Sequence, residues 1–418
     1  MGKSTNRIVT GLVILCIFLT GSCDKNNVIP LNVIPVASTV GNYSMLNLSD
    51  YATEIKYIPL ETNDSGLISA VGQIIYENNK LLIASFDMGV GNYYLFDNTG
   101  KFCCKIGQRG QGPDDYIRMN NVFIYDNHVF LMERNKILIY DTTGYLVERI
   151  RIGSDAIPVE YAGESFRWML PLNKYSFVMN LASFYGHYPQ AILFERNQSD
   201  LKIIKEYPNN VILDKRPGIL YGEELGIMYR FDNEIRIFKG INDTIFTIGQ
   251  DTEMKDAYIF DFGKYRTTLA FVERKEGDSD FFYRRRFILP RYMYESLNHL
   301  FIKFNFGYQA PESMELPNTQ GGKYYNDDVY SVFDKRTGKL TLMLQPVKGK
   351  FGFKNDIDGG PVIFPHYLSA NNELVTYIQP EEFLEYYEKI ENPSAELTAI
   401  ANKIDKYDNP IVIIAKLK

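Results

Sequence analysis

Tyr93-Tyr94-Leu95-Phe96-Asp97-Asn98-Thr99-Gly100 recurs, about 44 residues later, as Ile137-Leu138-Ile139-Tyr140-Asp141-Thr142-Thr143-Gly144. Each stretch is an apolar strand ending in an Asp-Xaa-Thr-Gly turn. Gly tolerates positive φ and the Asp carboxylate accepts bonds from nearby backbone, so this turn closes a tight hairpin. A second matched pair precedes it: Gln73-Ile74-Ile75-Tyr76-Glu77-Asn78-Asn79-Lys80-Leu81-Leu82-Ile83 and Val122-Phe123-Ile124-Tyr125-Asp126-Asn127-His128-Val129-Phe130-Leu131-Met132. Both read as strand, Asn-containing turn, strand. A fourth strand follows each set, at 101–106 and 145–152. Four antiparallel strands every 40 to 50 residues or so is the period of a propeller blade. One such sheet cannot bury both of its faces alone, so the blades must stack around an axis.

The pattern continues more weakly along the chain. Residues 166–179 and 190–207 read as a third repeat, and 227–238 with 244–250 as a fourth, extended by 258–262. Val329-Tyr330-Ser331-Val332-Phe333-Asp334-Lys335-Arg336-Thr337-Gly338 restores the signature in a fifth. Residues 366–377 and 411–417 form a sixth, and the unpartnered strand 55–60 is expected to complete it and remove the open edge. The expected architecture is therefore all-β: a six-bladed β-propeller of four-stranded antiparallel blades, spanning 43–418, with short helical insertions. The first insertion, about 264–306, is charged, aromatic and partly helical in pattern, with Arg284-Arg285-Arg286 at its middle. The second, 380–407, reads as helical. Pro380 suits a first helical turn, and Glu381 and Glu382 suit its positive end.

The start of the chain sets the expected compartment. Lys3 and Arg7 precede an apolar run at 8–19. That run is shorter than the roughly 20 residues a membrane span needs, and reads as the core of a signal peptide, 1–22. Leu19-Thr20-Gly21-Ser22-Cys23 resembles a bacterial lipobox, with Thr20 where Leu is usual. The resemblance implies that Cys23 is the first mature residue and carries diacylglycerol. Residues 23–42 are then expected to tether the domain to a membrane. The expected location is the cell envelope, lipid-anchored to the outer membrane, facing the periplasm or the surface. Cys16 falls in the signal, and the adjacent Cys103 and Cys104 have poor spacing for a disulfide. A net charge of −6 argues against a nucleic-acid partner. The chain has 31 Tyr, 27 Phe and 1 Trp, which suits half-wet sheets and keeps a carbohydrate ligand in view.

Two further stretches carry a family resemblance. Ile106-Gly107-Gln108-Arg109-Gly110-Gln111-Gly112-Pro113-Asp114-Asp115-Tyr116 resembles the Gly-Xaa-Xaa-Gly-Xaa-Gly-Pro-acidic-Tyr segment of the six-bladed β-propeller lipoproteins of Bacteroidetes-type bacteria. Asn355-Asp356-Ile357-Asp358-Gly359-Gly360-Pro361 resembles their late-chain motif. The lipobox and the strand after Asn409-Pro410 fit as well. These proteins are similar in form to NHL-type propellers. The resemblance covers the mature chain and implies the fold, an envelope location and a generic binding role.

Loop position nominates the candidate contacts. Arg109, Asp115 and Tyr116 sit in the Gly-rich segment, which lacks the spacing of a dinucleotide fingerprint or a P-loop and reads first as a sharp crossing between blades. Asp356 and Asp358 alternate as in some Ca²⁺ loops but lack an EF-hand's further ligands, so a hydrogen-bonded turn is weighed against a cation site. Tyr185 and His187 lie in the aromatic loop Ser183-Phe184-Tyr185-Gly186-His187-Tyr188-Pro189, a surface suited to ligand stacking. Arg284-Arg285-Arg286 and Asp327-Asp328 read as solvated charge. The four histidines show no metal-ligand spacing, and no nucleophile elbow is present. The reading that emerges is a non-catalytic envelope lipoprotein binding a glycan, peptide or protein partner, without a cofactor. The alternatives are a hydrolase or lyase acting on polysaccharide, and a sensory or assembly scaffold for another envelope protein.

Overall fold

The computed structural model describes residues 32–87, 90–117, 121–133, 136–152, 165–182, 188–197, 200–212, 226–239, 242–268, 285–311, 314–317 and 323–418. The repeated turns organise it. Asp97 Oδ1 accepts from Thr99 N at 2.8 Å, Thr99 Oγ1 at 2.6 Å and Lys101 N at 3.1 Å. Asp141 accepts the same set from Thr143 and Tyr145. Gly100 and Gly144 then carry φ of 86° and 85°. At the preceding turn, Asn78-Asn79, Asp126-Asn127 and Asp232-Asn233 all take positive φ at both residues. That is the turn whose twist matches a tight hairpin.

The described strands are all-β and propeller-like, mostly antiparallel. Val71–Glu77, Lys80–Asp87, Val90–Asp97 and Phe102–Lys105 make one meander, the 71–105 run. Val122–Tyr125, His128–Met132, Lys136–Tyr140 and Leu146–Arg151 make the 122–151 run. Ser165–Pro171, Ser176–Ala182, Ala191–Asn197 and Asp200–Tyr207 make the 165–207 run. Ile227–Phe231, Glu234–Phe238, Thr244–Ile248 and Met254–Phe260 make the 227–260 run. Leu289–Glu295, His299–Asn305, Asp328–Asp334 and Lys339–Met343 make the 289–343 run. The closing run is Tyr367–Leu368, Glu373–Ile378, Ile411–Leu417 and, from the start of the chain, Ala52–Pro59.

The cores lie between runs. One cluster joins the 71–105 and 122–151 runs through Leu82, Leu95, Val129 and Leu138. Others join each next pair in chain order, and Phe96, Ile83, Val375 and Val412 join the closing run back to the first. The first strands of the runs follow the same circuit: Val71–Glu77 meets Val122–Tyr125, Ser165–Pro171 meets Ile227–Phe231, which meets Leu289–Glu295, which meets Tyr367–Leu368, which returns to Val71–Glu77. Asn121 spans the remaining step by donating to Met169 O at 2.6 Å. The first strands therefore surround an axis.

Three expectations are corrected. The hydrogen-bonded sheets are not six separate four-stranded blades: among the described residues only two sheets have four strands. The 122–151 and 165–207 runs fuse into eight strands through the single parallel pair Arg151–Asp200. Two other runs gain a fifth strand, because Val33–Ile34 pairs with Met254–Phe260 and Tyr43–Ser44 with Lys339–Met343. Residues 33–36, expected to lie in a tether spanning 23–42, are instead part of the body. Ile34 and Val36 are fully buried, since the outer edge of a run offers open backbone groups that a short apolar strand can satisfy. The stretch taken as an insertion at 264–306 contains the first two strands of the 289–343 run. Leu300, Phe301, Ile302 and Phe304 are all fully buried, and Phe301, on the face that also carries His299 and Lys303, interrupts the alternation by which a half-buried strand is recognised.

At 380–407 the chain forms two helices, Pro380–Tyr387 and Ala395–Ala401. Ser394 Oγ caps the second by accepting from Leu397 N at 3.2 Å. Phe383, Leu397 and Ile400 seat the pair on the core between the 289–343 and closing runs. Among the described residues no helix is long and apolar enough to cross a membrane.

Candidate functional site

The Gly-rich segment is a self-contained crossing between two runs. Asp115 Oδ1 accepts from Gln108 Nε2 at 3.0 Å and Oδ2 from Gly112 N at 2.9 Å. Those bonds hold its carboxyl below the usual range. Gly110 can have no side chain here, because a Cβ would fall 2.1 Å from Asp115 Oδ2. Tyr116 N donates to Gln108 O, and its ring packs edge-on to Tyr93 at 5.1 Å. Tyr116 is 1% exposed, its hydroxyl has no hydrogen-bond partner among the described residues, and burial pushes its pKa up to about 12. Arg109 is exposed, and its Nε donates to Ile117 O at 3.3 Å. The segment brings Arg109, Asp115 and Tyr116 together with Asp115 and Tyr116 already committed to the turn and the core.

The late motif clamps the start of the propeller-like body. Both Asp356 oxygens accept from Ser49, from its N at 2.9 Å and its Oγ at 2.6 Å. Burial opposes the Asp356 charge, but these bonds prevail and lower its pKa. Asp358 Oδ1 accepts from Asn355 Nδ2 at 2.7 Å, Gly360 N at 2.9 Å and Tyr57 Oη at 3.2 Å. Burial, and then the Asp358 charge, drive the Tyr57 hydroxyl far up. Among the described residues no group of three or more His, Cys, Asp or Glu could hold a metal ion. Cys23, Tyr185 and His187 lie outside the described residues.

Two charge stretches are not the solvated faces they resemble in sequence. Asp327 is 2% exposed and takes a two-point bond from Arg285, at 2.8 Å from Nε and 3.0 Å from Nη2. Asp328 Oδ2 pairs with Lys303 Nζ at 2.8 Å. A larger buried network joins the 227–260 and 289–343 runs. The Glu295 side chain has no solvent exposure. It accepts from Arg236 Nε and Tyr229 Oη at 3.1 Å each, from Tyr258 Oη at 2.9 Å, and pairs with Lys335 Nζ at 3.0 Å. Arg236 also donates to Glu234 and Thr247. Every charge in this network has a partner, which is the condition for burying it.

A different arrangement stands at the axis, where first strands end. The guanidinium of Arg230 lies over the Tyr125 ring, 4.7 Å from its centre, although the two belong to the 227–260 and 122–151 runs. Its Nη2 donates to Asn233 Oδ1 at 2.7 Å, and its Nε is enclosed without a partner. Among the described residues no carboxylate pairs with it. Its charge nevertheless reaches Glu77 and Tyr367, lowering the pKa of each. Glu77 Oε1 accepts from Tyr367 Oη at 2.7 Å and Ala370 N at 3.0 Å, while burial outweighs these bonds and raises the Glu77 carboxyl above its ordinary range. Four runs thus send a cation, an acid and two phenol rings to one end of the axis. Sequence reasoning did not single these residues out. The signal available was positional: Glu77, Tyr125 and Arg230 each fall within the last two residues before the Asn-containing turn of their repeat.

A family model for a domain of unknown function, DUF4934, matches residues 31–416. The chain belongs to this family. No curated protein matches the DUF4934 chain. Its fold is similar to the crystal structure of a protein described as a candidate exported protein of Bacteroides fragilis, with a TM-score of 0.66 at 19% identity over 92% of this chain and 99% of that one. A member of the DUF4221 family from Bacteroides vulgatus aligns with a TM-score of 0.49 at 11% identity, covering 88% of the DUF4934 chain and 97% of its own. Virginiamycin B lyase from Staphylococcus aureus aligns at only 0.34 and 10% identity, over 70% and 89% of the two chains, a likeness too slight to bear on activity.

Proposed function

We propose that this DUF4934 protein is a non-catalytic, exported binding protein of the cell envelope, built as a six-bladed propeller and anchored through a lipid on Cys23. The six-blade reading is supported by the circuit of inter-run cores, which passes once between each neighbouring pair of runs and returns to its start. The envelope location draws on the lipobox-like Leu19–Cys23 stretch and on the likeness to a candidate exported protein. The ligand is a glycan, peptide or partner protein that presents an anionic group to one mouth of the axis.

One observation carries the binding role. Arg230 is preorganised over Tyr125 and bonded at one nitrogen, with no carboxylate paired to it among the described residues. A cation held this way offers fork geometry to a carboxylate or phosphate. The test is thermal unfolding of the mature chain against uronate oligosaccharides, acidic peptides and phosphorylated glycans. A ligand that binds only the folded state raises the midpoint by mass action. The shift is expected with wild type and lost in Arg230→Ala; an equal shift in both would sink the assignment. The anchor is tested separately by labelling cells with a radioactive fatty acid, where Cys23→Ala is expected to abolish incorporation.

A further inference from the structure

The parts of the Arg230 guanidinium are not equivalent. Arg230 as a whole is half-buried. One face lies on the Tyr125 ring, 4.7 Å from its centre. Nη2 donates to Asn233 Oδ1 at 2.7 Å. Nε is enclosed and has no partner among the described residues. The side of the fork that Nε shares with Nη2 is therefore closed. Its Nη1 end is the part left for a ligand, and among the described residues no bond occupies it. The Tyr125 ring fixes the plane of that end, because a guanidinium laid on an aromatic face is held there by the ring quadrupole.

The setting of this cation is acidic. Asp126 directly follows Tyr125, Asp232 stands between Phe231 and Asn233, and both are exposed in the Asn-containing turns of their runs. The strand of Tyr125 meets the strand that ends in Glu77, and Glu77 is bonded to Tyr367 Oη and Ala370 N. A second cation, Lys174, is exposed in the corresponding turn of the 165–207 run, where its Nζ lies 4.8 Å from the centre of the Tyr175 ring. Among these residues the acids are Glu77, Asp126 and Asp232, and the cations are Arg230 and Lys174. One added negative charge can be met by Arg230. A second one on the same group has no cation bonded into place for it, and meets the acids instead.

We propose that the Arg230 mouth selects a carboxylate over a phosphate dianion, with Tyr125 as the positioning residue that holds the guanidinium for it. The proposal rests on the binding reading above and names the ligand class of that same site. A carboxylate is planar, carries a single charge and accepts paired N–H bonds from one guanidinium. A phosphate monoester carries about two negative charges at neutral pH and brings the second against Glu77, Asp126 and Asp232. Groups beside the ligand carboxylate that carry O–H or N–H can donate to those acids. A uronic acid and the C-terminus of a peptide share this chemistry.

The experiment compares matched probes on the full mature chain at about pH 7.5, where a phosphate monoester is largely dianionic. Glucuronate, glucose 6-phosphate and glucose share a ring and differ at one carbon. N-acetyl-dialanine and its amide differ only at the carboxylate. Binding constants are read from the rise of the unfolding midpoint with probe concentration. A carboxylate probe is expected to bind, while glucose 6-phosphate, glucose and the amide leave the midpoint in place; whether glucuronate or N-acetyl-dialanine responds names the carrier. Tyr125→Leu is expected to weaken the carboxylate about threefold to tenfold, and Tyr125→Phe to keep wild-type affinity, since the ring and not the hydroxyl faces Arg230. Glucose 6-phosphate binding as tightly as the carboxylates, and lost in Arg230→Ala, would overturn the ligand class and leave the anion-binding reading standing. No rise with any probe, or a rise that Arg230→Ala leaves intact, would remove both. Equal weakening in Tyr125→Phe and Tyr125→Leu would overturn the positioning role of the ring.

Discussion

Arg230 and Arg236 lie on the two strands of one hairpin, Ile227–Phe231 and Glu234–Phe238, and have opposite fates. Arg236 points between two runs and meets Glu295, Glu234 and Thr247. Burial works against its charge, yet the Glu295 charge holds the guanidinium pKa up. Arg230 points to the axis, stacks on Tyr125 and, among the described residues, bonds Asn233. The first is a closed account of charge that fixes two runs in register. The second is an open one, with no carboxylate paired to the guanidinium among the described residues. Residue type is the same in both, so the surroundings decide whether an arginine is structure or site.

The comparison can be broken most directly at Glu295. Glu295→Ala strands Arg236 and Lys335 in the interior and is expected to cost about 3–5 kcal/mol of stability, read from urea unfolding. A loss below about 1 kcal/mol would mean that the network does not lock the two runs. Arg236→Lys keeps the charge but cannot reach Glu295 and Glu234 with one ammonium. It is expected to lose about 1.5–3 kcal/mol, the worth of a hydrogen bond to a charged group, by the same measurement. Arg230→Ala removes one cation–π contact at the axis and is expected to cost about 1 kcal/mol or less. A loss as large as that of Arg236→Lys would make Arg230 structural and erase the contrast.

The smallest expected effect is a pH dependence. Glu77 has a pKa raised by burial above its ordinary value of 4.5. The folded chain therefore holds this proton more tightly than the unfolded chain. Its contribution favours folding below the ordinary carboxylate range and is lost as pH rises through the raised pKa. Unfolding midpoints measured from pH 4.5 upward should include this decline in wild type, and Glu77→Gln should flatten it. Arg230→Ala should carry it to higher pH, because the Arg230 charge now holds the Glu77 pKa down. Identical profiles in wild type and Arg230→Ala would show that the two groups do not sense each other.

The fold was readable where chemistry is local. Asp97 and Asp141 make the same three bonds because Thr and Gly follow each at the same spacing. The strand at 55–60 was readable as the partner of the last repeat because it had no neighbour of its own, and Ala52–Pro59 does pair with Ile411–Leu417. The hairpin of Leu289–Glu295 and His299–Asn305 was not readable, since the apolar run Leu300-Phe301-Ile302 blurs the period of its second strand. The site was less legible still. Arg109, Asp115, Asp356 and Asp358 stood out by motif, yet Asp115, Asp356 and Asp358 are held by bonds within the body. Glu77, Tyr125, Arg230 and Tyr367 come from distant repeats, and only the circuit of runs brings them together.

The closing sheet places Ile411–Leu417 in its interior, with Glu373–Ile378 on one side and Ala52–Pro59 on the other. Synthesis proceeds from the N-terminus, so one of the earliest strands must wait for one of the latest. Until residue 417 is available, Ala52–Pro59 and Glu373–Ile378 are both raw edges, and the molecule is an open arc. One strand, Ile411–Leu417, thus acts as the keystone of this sheet: a chain without it leaves two unpaired backbone edges exposed to other strands.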